Sequence, residues 1–138
     1  MRQPPRPLFV VAAALGGAAG ALARWGVDQA WPAGTGFPWG TLTINITGSF
    51  LLALLPAFAT VRRHPVLPVL LGTGVLGGWT TLSTYANQSR SLIAEGHGGT
   101  ALTYVATTLV ACVLAVRLAH VWSSPAAQEE FEAEEGNE

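Results

Sequence analysis

Four stretches of this chain carry no charge: residues 7–23, 29–61, 64–89 with His64 neutral, and 96–116. A helix needs roughly 20 mainly apolar residues, within a range of about 17–25, to cross the hydrocarbon core of a bilayer. Four such runs take up 97 of the 138 residues. Backbone amides in lipid must be paired inside the protein, so each run is predicted to be a helix rather than an open strand. Composition agrees, since 11% of the residues are charged, against roughly a quarter in an ordinary soluble domain. The expected fold class is an all-α membrane protein with four transmembrane helices.

The first span is expected over residues 8–27 and contains Gly16 and Gly20, a small-residue spacing that lets two membrane helices approach closely. Arg2, Arg6, the apolar stretch from Leu8 and the triplet Ala21-Leu22-Ala23 together imitate a secretory signal peptide. A discarded segment has no need of the packing glycines Gly16, Gly17 and Gly20, so the stretch is read as a retained span. Pro32, Gly34, Gly36 and Pro38 punctuate the next loop, with Trp31 and Trp39 at its ends as in an aromatic interface belt. The second span is expected over residues 39–61, a turn at Arg62-Arg63-His64-Pro65, the third span over 66–94 and the fourth over 100–122. Residues 1–122 therefore form the four-span domain, and the acidic stretch 123–138 is expected to be a disordered tail. An even number of spans puts both termini on one side. That side holds Arg2, Arg6, Arg62 and Arg63, with Arg117 at its edge, against Arg24 and Arg90 opposite. The bias predicts cytoplasmic termini.

Enzymatic readings find little support. Gly72, Gly74 and Gly77 satisfy G-x-G-x-x-G, with Glu95 downstream, but they sit inside a membrane-length run with no βαβ unit around them. His64, His97 and His120 stand singly, without metal-ligand spacing. No pair of carboxylates falls inside a span, and Cys112, the single cysteine, reads as a packing residue of the fourth. The arginines form no patch suited to nucleic acid.

The informative segment is Gly77-Gly78-Trp79-Thr80-Thr81-Leu82-Ser83-Thr84-Tyr85-Ala86-Asn87-Gln88-Ser89. Two adjacent glycines and a run of hydroxyl and β-branched residues weaken a helix at the expected bilayer midplane, so the third helix is predicted to break near its centre. A break there frees carbonyls that can hold a cation and amides that favour an anion, tolerable only in a protein interior or a watery cavity. The blander alternative is that the hydroxyls bond back to their own helix.

The stretch GGWTTLSTY resembles the GG-x-TTFSTF signature of the small bacterial fluoride channels, the Fluc or CrcB family. The resemblance extends through Gly16, Gly17, Gly20, Ala21 and Arg24, through Pro38, Gly40, Thr41, Leu42, Asn45, Gly48, Ser49 and Phe50, and covers roughly residues 16–122. It implies an antiparallel dimer in the bacterial cell membrane that exports cytoplasmic fluoride by passive conduction. It also implies a structural sodium ion at the dimer centre, held by backbone carbonyls of Gly77 and Thr80. Asn45 and Ser83 correspond to pore-lining positions, and Tyr104, Thr108 and Cys112 to a polar track on the fourth span. Thr41, Asn45 and Ser49 recur every fourth residue and so share a helix face. Arg24 is expected either at the pore mouth or, in preference, as a snorkelling anchor. The chain departs from the signature where Leu82 and Tyr85 replace two phenylalanines, and where Cys112 replaces a serine. Tyrosine keeps a ring edge that can face an anion, and leucine offers none. With the arginine asymmetry, this leads to the expectation of one half of a heterodimer with a second CrcB-type subunit, a homodimer being the alternative. The competing readings are a non-conducting accessory subunit and a small drug–proton antiporter. The latter needs a carboxylate in the first span, where residues 8–27 have none.

Overall fold

The computed structural model describes residues 7–32 and 36–123, together with 125, 127 and 129. Arg2 and Arg6, Gly34 of the first loop and most of the acidic tail 123–138 lie outside the described residues. The described chain is helical, with helices α1 (Pro7–Ala30), α2 (Trp39–Leu54), the short α3 (Ala59–Arg63), α4 (residues 66–79), α5 (Leu82–Ala94) and α6 (Gly98–His120). Four stretches are long and apolar enough to cross a membrane: Pro7–Ala30, Trp39–Ala57, Val66–Ala94 and Gly98–His120. This is the all-α, four-span class that the uncharged runs predict.

Small residues set how these helices meet. Ala12, Gly16 and Gly20, spaced by four, are the buried residues of α1 and form one stripe along it. The stripe lies on α4, where Gly74 faces Gly16 and Val75 backs onto Gly20, while Gly78 meets the adjoining Gly17 and Ala21. A methyl group built on Gly74 would sit 2.9 Å from the Cα of Gly16, and one on Gly20 would collide with the backbone of Val75. No side chain separates the two helices at these points, which is the close approach that small residues permit in lipid. Along Val69–Leu76 α4 widens into a π-helix. Nothing in the hydrophobic pattern announces that widening.

On the other side of the bundle α2, α5 and α6 enclose a small core of Leu42, Leu92, Ala101 and Tyr104, with Phe37, Ile46 and Tyr85 packed against it. A second cluster, Leu55, Val61 and Leu76, lies at the opposite end of α2, where Leu67 and Leu71 cover it. The end of α5 is fixed by a glycine. Gly96 has φ +82°, its amide donates to Ile93 O at 3.1 Å, and the amide of His97 donates to Leu92 O at 2.8 Å. This is a Schellman ending, whose left-handed position suits glycine because it has no Cβ. Within the most apolar windows of α1 and α6 only 17% of residues are buried, and 33% in the other two spans. Most of the helix surface, including Leu15, Leu22, Leu102, Leu109 and Leu114, therefore faces outward as apolar side chains.

Candidate functional site

Between α4 and α5 the backbone leaves the helical region for two residues. Thr80 has ψ 158°, and Thr81 has φ −148° and ψ 115°. The amides and carbonyls released there are claimed by specific side chains. Asn45, on α2, holds Thr81 from both directions: its Nδ2 donates to Thr81 O at 3.1 Å, and the Thr81 amide donates to its Oδ1 at 2.9 Å. The Thr81 side chain caps α5, its Oγ1 accepting from the Thr84 amide at 3.1 Å and donating to Thr84 Oγ1 at 2.9 Å. Arg24 Nε donates to Gly78 O at 3.2 Å, and its guanidinium lies 3.9 Å from Asp28 Oδ2. Arg24 thus ties α1 to the end of α4. Trp79 Nε1 donates to Thr47 Oγ1 on α2 at 3.0 Å.

Two carbonyls are left over. In a continuous helix Gly77 O would accept from the Thr81 amide and Thr80 O from the Thr84 amide. Those amides go to Asn45 and to Thr81 Oγ1, and no other amide among the described residues takes their place. Neutral carbonyl oxygens with free lone pairs are the donor type that hard cations take. The residues at 77 and 80 therefore fit the sodium expectation in kind, and among the described residues no cluster of metal-ligating side chains competes with them.

Beside this discontinuity runs an open groove of about 340 Å³. Asn45, Gly48, Ser49 and Leu52 line it from α2, Thr80, Thr81, Leu82 and Tyr85 from the third span, and Thr108, Leu109 and Cys112 from α6. Among the described residues no charged side chain lines it. Its polar groups are unequally free. Thr108 Oγ1 donates back to Tyr104 O at 2.7 Å, and Tyr85 OH reaches Val105 O at 3.4 Å, so each presents lone pairs or a ring to the groove. Asn45 has spent one of its two amide protons, and the hydroxyl of Ser49 and the thiol of Cys112 have no partner among the described residues. These three are the available donors.

Above the groove the track continues into the core. Tyr104 is fully buried, its ring 5.2 Å from that of Tyr85, and its hydroxyl donates to Gln88 Oε1 at 2.9 Å. Thr41 and Gln88 line a second, smaller hollow. Of the residues singled out in the sequence, Asn45, Leu82, Tyr85, Thr108 and Cys112 meet in the groove, while Thr41 and Tyr104 stand one to two turns away from it. Gly77 and Thr80 flank the discontinuity. Ser83 is exposed, 3.3 Å from Thr81 Oγ1 and absent from the groove lining. Leu82 is 77% exposed. Gln88 was not singled out, although it lies three residues from Tyr85 on one helix and a polar side chain inside a span needs a partner.

These features define a small multi-pass membrane protein built around a neutral, donor-lined groove at an interrupted span. The sequence profile described as "CrcB-like protein, Camphor Resistance (CrcB)" matches residues 11–120, and the chain belongs to that family. It is 43% identical over 118 residues to a protein of Streptomyces coelicolor named fluoride-specific ion channel FluC 1, covering 83% of this chain and 76% of that one. It is 38% identical over 134 residues to fluoride-specific ion channel FluC 2 of Nocardia farcinica, covering 92% and 96%. A fluoride-specific ion channel FluC of Sorangium cellulosum is 43% identical over 106 residues, covering 73% and 83%.

Proposed function

We propose that this chain is a subunit of a fluoride channel that lets cytoplasmic fluoride leave by passive conduction across the bacterial plasma membrane. The observation that carries the reading is the groove, lined by Asn45, Ser49 and Cys112 donors with no charge among them. Fluoride is small and strongly hydrated, so a pathway must replace its water with other donors. Neutral donors do this without the full positive charge that would trap the ion, and permeation needs binding that is favourable yet weak enough to release. Among the described residues no carboxylate lines the groove to couple a proton to transport, which favours conduction over antiport.

The groove is open on one side and Leu82 projects from it, so a second CrcB-type subunit, antiparallel to the first, completes the pathway. That partner supplies the ring edge that Leu82 lacks. Gly77 and Thr80 would hold a sodium ion with their carbonyls, where it supplies a fixed positive charge that joins the subunits. The arginine asymmetry supports cytoplasmic termini. Leu82 also favours a second reading, a non-conducting accessory subunit.

The test is electrogenic fluoride efflux from proteoliposomes, followed with a fluoride electrode after adding a potassium ionophore. The expected result is fluoride-selective efflux from the chain co-reconstituted with a second CrcB-type chain of the same organism, and slow efflux from this chain alone. Brisk efflux from the single chain would overturn the need for a different partner. No efflux in either preparation would leave the accessory reading standing and remove this one.

A further inference from the structure

The smaller hollow, at the loop end of α1 and α2, lies outside the groove and encloses about 240 Å³. Asp28, Trp31, Phe37, Trp39, Thr41 and Gln88 are the members of its wall that bear on what it can hold. The Phe37 and Trp39 rings are 4.5 Å apart and tilted by 43°, and Phe37 meets the edge of Tyr104 at 5.5 Å. Phe37 is therefore fixed from two sides. Among the described residues Asp28 carries the only charge in the wall. Its distance of 3.9 Å from Arg24 is that of a loose ion pair, and its side chain is 41% exposed, so the carboxylate keeps lone pairs to offer.

The wall sets one carboxylate among aromatic rings, and both a carboxylate and the face of a ring attract positive charge. The site thus suits a cation. A bare metal ion would want several oxygen ligands at once, and besides the carboxylate the wall offers only the side-chain oxygens of Thr41 and of Gln88, the latter already accepting from Tyr104 OH. A cation with carbon substituents satisfies both parts, its charge drawn to Asp28 and its methyl or methylene groups laid on the rings, as in aromatic cages for quaternary ammonium groups. We propose that this hollow binds an organic ammonium group. Trp31 and Trp39 are half exposed at the end of their spans, where interfacial tryptophans meet lipid headgroups. The ammonium can therefore arrive on an aminophospholipid or as a free amine in water.

Tryptophan emission reads the site, since two of the chain's five tryptophans line it. The full chain in maltoside micelles is titrated with tetramethylammonium chloride, against sodium chloride at equal ionic strength. The expected result is a saturable change with tetramethylammonium alone. Its half-saturating concentration should rise about tenfold or more in Asp28→Asn and also in Trp31→Leu, where Trp39 remains as reporter. Trp31 is exposed, so that variant keeps the fold if Asp28→Asn does not. Repeating the titration in phosphatidylglycerol vesicles, with and without phosphatidylethanolamine, separates the sources: the lipid abolishes the response if its headgroup fills the hollow, and leaves it intact if a free amine does. An identical response to both salts, or variants that titrate like the native chain, would overturn the proposal. None of these readouts depends on fluoride flux.

Discussion

The two halves of the third span are held by opposite means. α4 lies on α1 through glycines on both sides, so the seam exists because side chains are absent. α5 begins on side-chain hydrogen bonds from Asn45 and Thr81, which stand in for backbone bonds that Thr80 and Thr81 cannot make. One seam fails when an atom is added, the other when a polar atom is removed. A helix interrupted in lipid needs both, since the loosened half must be re-satisfied by polar groups while the other half is pinned.

The largest effect expected from breaking this contrast is at Gly20. Gly20→Val places a branched side chain against the backbone of Val75 and Trp79, which cannot rotate away. Overpacking of a well-filled site costs about 1–3 kcal/mol or more, and here the obstruction is main chain. The variant should lose monodispersity in size-exclusion chromatography and unfold at much lower temperature in micelles. Gly26→Val is the control, because a Cβ at Gly26 meets nothing within 4 Å. If both variants behave alike, the seam between α1 and α4 does not depend on backbone proximity.

How far the sequence anticipates the structure differs between the same two regions. The four spans follow from charge-free length alone, and the glycine stripe of α1 follows from its spacing. Asn45 and Ser49 fall in one groove because a single unbroken helix carries both, so periodicity assigns their face correctly. Ser83 is different. Its pore-lining assignment rests on the signature alone, because the two extended residues Thr80 and Thr81 reset the phase of α5 relative to α4 and no helical count crosses them. The widening of Val69–Leu76 is equally silent, since the same apolar residues suit either turn. Within α5 the phase is legible again: Tyr85, Gln88 and Leu92 share a face, which is how Gln88 could have been found.

Asn45→Asp sharpens the contrast at the second seam. A carboxylate can still accept from the Thr81 amide but cannot donate to the Thr81 carbonyl, leaving that buried oxygen unpaired at a cost of about 1–3 kcal/mol. It also introduces the only negative charge lining the groove, which opposes an anion directly. The expected outcome is a modest fall in melting temperature and at least about a tenfold fall in fluoride efflux from the paired channel, a barrier increase of roughly 1.4 kcal/mol. Unchanged efflux would separate Asn45 from the ion pathway and leave it with the clamp alone.

The smallest effect belongs to Thr81→Ala. It deletes the cap on the first turn of α5, for which typical costs are about 0.5–2 kcal/mol, while the two Asn45 bonds to the Thr81 backbone remain available. Thr81→Ser should restore the stability, because the capping oxygen returns without the methyl. Efflux should change little in either variant if the ion meets the donors of Asn45, Ser49 and Cys112 rather than the Thr81 hydroxyl, whose proton is already given to Thr84. Thermal unfolding and efflux measured on the same preparation decide the point. A loss of efflux in Thr81→Ala as deep as that in Asn45→Asp would mean that the geometry of the interruption rests on the threonine side chain, and the division of labour between the asparagine clamp and the helix cap would have to be redrawn.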